Sequence, residues 1–475
     1  MKKSIFFAFV GTLILLLGCT NQSSNSTKVK IDENGYAILT DQEIEDIVKR
    51  SYQYVAMYNV NQKMALAEAG LTTHGYNKGM RNTNLLDHTA RFIARPNNDV
   101  MYQLAMLDLT QDAIVLEMPA VESKYVSMMA TGYDHYVNIP MSTGDGDFQK
   151  PTKILFYTER TKGYDGAKIE GIDKIAKMTG DYISVVLRIM PHANEPERYA
   201  RIVEQINAMK GMTLSEYLGK PAPSATEVTF PDYGKTDADI FENNLLEVMQ
   251  FVFNHTTFDP KFELDSAVLT DYARLGVEPG KEYDPATAVK LDGKKFRDIS
   301  IKVRDEELAR WNNPAEMKDL LYTLFLPKGS AGLQSLLTPS VVGPIGQPAK
   351  EALYPAVVTD DGAPMNAMND YVIHISKDDM PPAKGFWSFT LYDAANGFFI
   401  PNDQKKYSVG ENAGMKLNKE GGIDIYIASK KPNGVPAENW LPINREDLEI
   451  NMILRIYAPD LEKMKTWKAP VANKL

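Results

Sequence analysis

The sequence predicts an α+β fold, mainly β, in which two strand-rich regions flank a helical one. Three observations carry this. Strand-like runs recur about every ten residues between Met101 and Met190, the spacing of an antiparallel sandwich or barrel. From Asp237 to Leu326 the apolar period becomes helical. Beyond Ala356 strand composition returns, with Asp360-Asp361-Gly362 and Asn396-Gly397 as turn signals. A chain of 475 residues is too long for one ordinary core, so two or three domains are expected.

Residues 1–18 read as a signal peptide. Lys2 and Lys3 precede the apolar run Ile5–Leu17, which is shorter than the roughly 20 residues a spanning helix needs. The run ends in Leu16-Leu17-Gly18-Cys19, which resembles the lipobox of bacterial lipoproteins, and Cys19 is the only cysteine. Residues 19–36 then read as a lipidated cysteine and its Ser/Thr/Asn-rich tether. No aspartate follows Cys19, so the expected address is the outer membrane, facing the periplasm. With Cys19 acylated, no thiol remains for disulfides, a four-cysteine zinc site or thiolate catalysis. The net charge is −10 without a basic tract, which argues against a nucleic-acid partner.

The first β-rich region is expected over 37–218. Thr40 and Glu43 form a capping box ahead of a helix with Ile44, Ile47, Val48, Tyr52 and Val55 on one side. The organising stretch is Ala94–Leu109. Pro96 is expected to hold Arg95 extended, and Asn97, Asn98 and Asp99 to form a polar turn at the mouth of a strand apolar on both faces. Strands follow at Ala113–Met118, Tyr125–Thr131, His135–Ile139, Lys153–Thr158 and Tyr182–Met190. Asn194 is read as the cap of a helix carrying Tyr199, Ile202, Val203 and Ile206, with Gly211 as its stop.

Pro/Gly-rich Gly219–Thr236 marks one boundary and Lys328–Lys350 a second, leaving a helical region at 237–327 and a C-terminal domain at 345–475. Helices are expected through Ile240–Val252, Phe262–Leu275 and Ile299–Trp311, with a short fourth at Met317–Leu326.

Two ordered motif sets carry a family likeness. Arg95-Pro96-Asn97-Asn98-Asp99 with Tyr102 and Leu107-Asp108-Leu109 resembles the N-terminal domain of unknown function numbered 1254. Phe386-Trp387-Ser388, Thr390-Leu391-Tyr392, Pro401-Asn402, Tyr407-Ser408, Asn439-Trp440-Leu441-Pro442 and Arg455-Ile456-Tyr457 resemble its C-terminal companion, numbered 1214. The resemblance implies an N-terminal β-sandwich, a helical middle region and a C-terminal jelly-roll-like β-sandwich. It brings no catalytic assignment and no cofactor.

No Gly-x-Ser-x-Gly elbow, His-Glu-x-x-His helix, phosphate loop or dinucleotide fingerprint is present. The six histidines are scattered, and Asp145 with Asp147 lack the distal Glu of a calcium loop, so no metal site is read. The candidate catalytic groups are Asp99 and His135, as bases. The candidate binding groups are Arg95 for an anion, Asn98, Tyr102 for orientation, and Trp387 with Tyr392 as an apolar wall. Each has a plain alternative: Arg95 and Asp99 pairing to close a turn, His135 in an aromatic cluster, and the aromatics filling a sandwich core.

Two functions follow. One is a lipid-anchored envelope enzyme, hydrolase-type or metal-assisted, acting on a small molecule held between the β-domains. The other is a non-catalytic ligand-binding or envelope-structural lipoprotein. Neither reading excludes a homo-oligomer. An enzyme should bring Arg95, Asp99 and a histidine together at a pocket lined by Trp387 or Tyr392; a binding module needs only the pocket.

Overall fold

The computed structural model describes residues 28–68, 70–91, 95–224, 227–311, 313–355 and 357–475. Residues 1–27, on which the expected signal peptide, the lipidated Cys19 and most of the expected tether fall, lie outside the described residues. Within them are 18 strands in four sheets together with ten α-helices, an α+β fold richer in strand than in helix, with no closed barrel.

The N-terminal sandwich packs two sheets face to face. One sheet runs Lys78–Arg81, Met101–Asp108, Tyr182–Ile189, Val126–Thr131, Ile139–Ser142. The other runs Lys174–Lys177, Thr152–Tyr157, Ile114–Met118, Lys210–Thr213. Strand alternation sorts the residues. Met101, Leu107, Ile183, Val185 and Leu187 point inward onto Ile114, Leu116, Ile154 and Phe156. The neighbouring positions Tyr102, Leu104, Val186 and Arg188 therefore face outward, where the rest of the chain covers them.

The C-terminal sandwich repeats the arrangement. Trp387–Asp393 and Glu449–Tyr457 pair antiparallel, with Ser388 opposite Arg455. Their alternate residues Trp387, Phe389, Leu391, Met452, Leu454 and Ile456 meet Ile373, Ile375, Ile423, Ile425 and Ile427 of the second sheet. Ser388, Thr390, Tyr392, Arg455 and Tyr457 are left on the outer face.

The helix Asp41–Leu66 begins at the capping box of Thr40 and Glu43, as its sequence requires. Although it precedes the sandwich in the chain, its Ile44, Val48, Tyr52 and Val55 share one core with Ile240, Phe241, Leu245, Val248, Val268, Phe296 and Leu337 of the later helices.

Local expectations fail where tertiary contacts override them. Ile240–Val252 is two helices, Asp237–Asn243 and Leu245–Asn254. Asn244 breaks the run at φ −151°, and its side chain bonds the Asp232 carbonyl. Asn194 does not cap the helix Pro196–Ala208; Glu195 holds that position, and Pro196 begins the helix where a missing N–H costs nothing. Gly211 lies inside the strand Lys210–Thr213 rather than stopping that helix. The glycine-punctuated stretch 328–350 contains a helix, Leu333–Val342, with Pro339 inside it. Burial of Leu336 and Leu337 outweighs the proline. The strand expected at His135–Ile139 starts only at Ile139. His135 has φ +64°, and its turn is held by Gln53 donating to the Asp134 carbonyl at 3.0 Å and by the Val137 N–H on the Leu326 carbonyl.

Candidate functional site

The outer faces of the two sandwiches meet, and the polar stretch after Arg95 is folded between them. Pro96 does not leave Arg95 extended. Its φ is +53°, a strained region that costs on the order of 1–3 kcal/mol. The turn delivers two backbone groups: the Arg95 N–H donates to the Gly397 carbonyl at 2.7 Å, and the Arg95 carbonyl accepts from Arg455 Nη2 at 3.2 Å. Among the described residues Arg95 forms no ion pair with Asp99, so the pair that would close the turn is not made. The guanidinium whose charge acts on Asp99 is that of Arg455.

Asp99 is 1% exposed. Ser388 Oγ donates to its Oδ2 at 2.5 Å, Tyr457 OH lies 3.5 Å from the same oxygen, and its N–H is held by Asn97 Oδ1 at 2.6 Å. Asn97 Nδ2 in turn donates to Tyr457 OH. Asn98 spans the domains, donating to the Leu86 carbonyl and accepting from Ser408 Oγ at 3.1 Å. Tyr392 OH donates to the Pro96 carbonyl at 2.6 Å and accepts from Arg455 Nη2 at 2.7 Å. Burial raises the Asp99 carboxyl above its ordinary value, opposed by Arg455 and the hydroxyl donors. Burial also works against the Arg455 charge, but Tyr392, Tyr457 and Asp99 outweigh it and raise the guanidinium further, so Asp99 is the member that titrates.

A second arginine enters from the opposite sheet. Arg188, in the row Tyr102–Arg188–Ser127, donates to the Ile345 carbonyl at 2.7 Å and lies 5.7 Å over the Tyr102 ring. The charges of Arg188, Arg455 and Asp99 all act on the Tyr354 phenol, so that ring lies within reach of all three. Phe386 stacks on Tyr457 with ring centroids 4.1 Å apart. Arg188 and Arg455 are 5% and 4% exposed, yet Nη1 of each has no hydrogen-bond partner among the described residues.

The structure thus brings Asp99, Asn98, Tyr102 and Tyr392 to one interface and gives it Arg95 through the backbone alone. Trp387 sits in the sandwich core on the opposite face of its strand. His135 lies apart: Nε2 is 2.8 Å from the Pro344 carbonyl and Nδ1 is 2.9 Å from Ser340 Oγ. Both ring nitrogens are occupied, and burial holds the imidazole neutral with its pKa lowered to about 4. Asp145 and Asp147 are tied to Lys350 and Lys174 at the surface.

Arg188, Arg455, Ser388 and Tyr457 are absent from the candidate site residues, although Ser388, Arg455 and Tyr457 stand in the motifs that carry the family likeness and a further signal is present. Arg188 is the one charged residue in Tyr182–Ile189, and in Phe386–Tyr392 every second residue from Ser388 is polar.

Residues 76–212 match the family described as Protein of unknown function (DUF1254), and residues 351–461 match Protein of unknown function (DUF1214). No curated protein matches the chain. The crystal structure of the VPA0106 protein from Vibrio parahaemolyticus is similar over 92% of this chain and 100% of that one, at 20% identity and a TM-score of 0.67, a likeness of fold. An uncharacterised protein from Burkholderia cenocepacia aligns over 91% of this chain and 95% of its own, at 13% identity and a TM-score of 0.41. Asp99 and Arg188 fall in the first matched region and Ser388 and Arg455 in the second, so this chain carries a DUF1254 region and then a DUF1214 region, in the order its motifs predict.

Proposed function

We propose that this chain is a lipid-anchored envelope protein that binds a small anionic molecule between its two β-sandwiches, through Arg188 and Arg455. The observation that carries the reading is the pair of buried, unpartnered Nη1 groups on the outer faces of the two sandwiches. Arg455 acts on the Asp99 carboxylate, whereas the groups acting on Arg188 are the phenols of Tyr102, Tyr354 and Tyr125, with no carboxylate among them. A buried donor left unmade costs about 1–3 kcal/mol, and buried charge is normally paired. A carboxylate or phosphate ester supplies what the forks lack, since planar guanidinium matches such groups in two-point bonds. Tyr102, Tyr354 and Phe386 offer ring surface for the rest of the ligand. Binding is favoured over hydrolysis because His135 is engaged at both nitrogens away from these groups.

The test is a thermal-shift series with phosphate, acetate, succinate and phenyl phosphate at constant ionic strength. At least one should raise Tm saturably at low millimolar concentration in the parent and not in Arg455→Lys. Saturation separates binding from the general stabilisation that excluded salts give. A parent indifferent to all four overturns the reading. The anchor is tested apart, by fractionating cells expressing Cys19→Ser. That variant should leave the membrane fraction or remain unprocessed, and unchanged processing with membrane retention would refute lipidation.

A further inference from the structure

A second buried polar cluster lies where the turn 132–137 meets the helical region, and its character is opposite. Six buried oxygens there make no well-formed hydrogen bond: Asp134 Oδ1 and Oδ2, Asp265 Oδ1, Tyr136 OH, Thr179 Oγ1 and Thr256 Oγ1, although the Thr179 hydroxyl and the Tyr136 N–H stand close enough to Asp134 to favour its ionised form. Asp134, Tyr136, Thr256 and Asp265 are each less than one-tenth exposed.

Several contacts draw them together. Gly132 and Gly180 approach so closely that a Cβ on Gly180 would lie 3.1 Å from Gly132 Cα, and a Cβ on Gly132 would lie 3.6 Å from Asp134 Oδ1. Gly180 pairs with Thr256 in an isolated antiparallel bridge, and the Thr257 N–H donates to the Thr179 carbonyl at 2.7 Å. Lys328 Nζ donates to the Thr257 carbonyl at 3.2 Å and to Asp265 Oδ2, and stands 5.6 Å over the Tyr136 ring. Asp265 Oδ2 also accepts from the Asp259 N–H at 2.6 Å. That leaves Oδ1 as the unsatisfied side.

We propose that this cluster is a binding site for one hard cation, an alkali or alkaline-earth ion, held by Asp134 with oxygens of Thr179, Thr256, Tyr136 and Asp265 around it. The unpartnered atoms are all oxygen, the donor such ions take. Asp134 and Asp265 set against Lys328 leave one negative charge in excess, which a cation neutralises. Among the described residues no group of three His, Cys, Asp or Glu converges as a metal-binding set. The donor set of carboxylates and hydroxyls therefore points away from zinc or iron and toward ions content with neutral oxygens. The glycine contact serves the same end, because it lets two loops close on Asp134 without a side chain between them.

The experiment uses the whole purified protein, dialysed into a choline buffer. Elemental analysis for potassium, magnesium and calcium comes first. Melting is then followed against KCl, NaCl, MgCl₂ and CaCl₂, with choline chloride at matched ionic strength as reference. The expected result is that one salt raises Tm saturably, or that one element stays bound in stoichiometric amount. The four arms identify the ion. Thr256→Val should move the midpoint of that response roughly tenfold or more to higher concentration, the scale of losing a supporting group at a metal. Asp134→Asn should abolish it. If Asp134→Asn does not fold, Thr256→Val and the elemental analysis decide. Choline equal to all four salts with no retained element would mean that water satisfies these oxygens, and would overturn the site. So would a response undiminished in both variants.

Discussion

The two buried polar clusters are built in different ways. Arg188, Ser388, Tyr392, Arg455 and Tyr457 stand on regular strands of two sheets and take their direction from the period-two alternation of those strands, while Asp99 is delivered by the turn before Met101–Asp108. Their cluster carries surplus donors. The Asp134 cluster stands on a turn, the entry to a strand, the residues after one helix and the first turn of another, and it carries surplus oxygens. Strands fix where a side chain points once register is set. Loops need tertiary contacts to do so, here the Gly132–Gly180 approach.

The largest effects are expected on the paired strands Trp387–Asp393 and Glu449–Tyr457, whose two faces should respond differently. Trp387→Ala empties core volume and should cost about 3–5 kcal/mol. Arg455→Met strands the Asp99 carboxylate and should cost a similar amount, roughly 3–5 kcal/mol. Only the second loss should be largely repaired by adding Asp99→Asn, as read by urea unfolding. A cost for Arg455→Met that Asp99→Asn leaves untouched would mean that the two groups are not coupled.

The pH response comes next, and it concerns the turn rather than the strands. The folded-state pKa of His135 is lowered to about 4, below its ordinary value, so between about pH 4 and 6.5 the unfolded chain binds more protons. Stability should therefore rise with pH across that window and be lost as pH falls through it, by about 3 kcal/mol in all. His135→Asn, a residue tolerant of the positive φ, should remove this slope. A slope unchanged in the variant would assign the effect elsewhere. The smallest effect is expected for Tyr392→Phe. It deletes the hydroxyl between Arg455 and the Pro96 carbonyl and should cost about 1–3 kcal/mol.

The same contrast explains what could be read from the sequence. The fold class followed from apolar periodicity, which records burial directly. Asp99 and Tyr392 were visible as polar groups at a strand mouth and in an aromatic run. Trp387 was grouped with Tyr392 by residue type, but adjacent strand residues face opposite ways, and alternation separates them. Arg188 and Arg455 looked like isolated charges because their common interface joins positions 267 residues apart. The loop cluster left no periodic trace at all. The helix Leu333–Val342 was hidden because Pro339 and the flanking glycines speak locally, whereas its burial comes from Asp41–Leu66 far along the chain.

The central claim is that Arg188 and Arg455 grip one anion together. A double-mutant cycle on the most stabilising anion of the thermal-shift series tests it most directly, using Arg188→Lys and Arg455→Lys to keep charge and remove the planar fork. If both forks hold the same ligand, the double variant should bind little worse than either single one, a coupling of about 0.5–3 kcal/mol. Independent, additive losses, or parent-like affinity in either single variant, would contradict the claim.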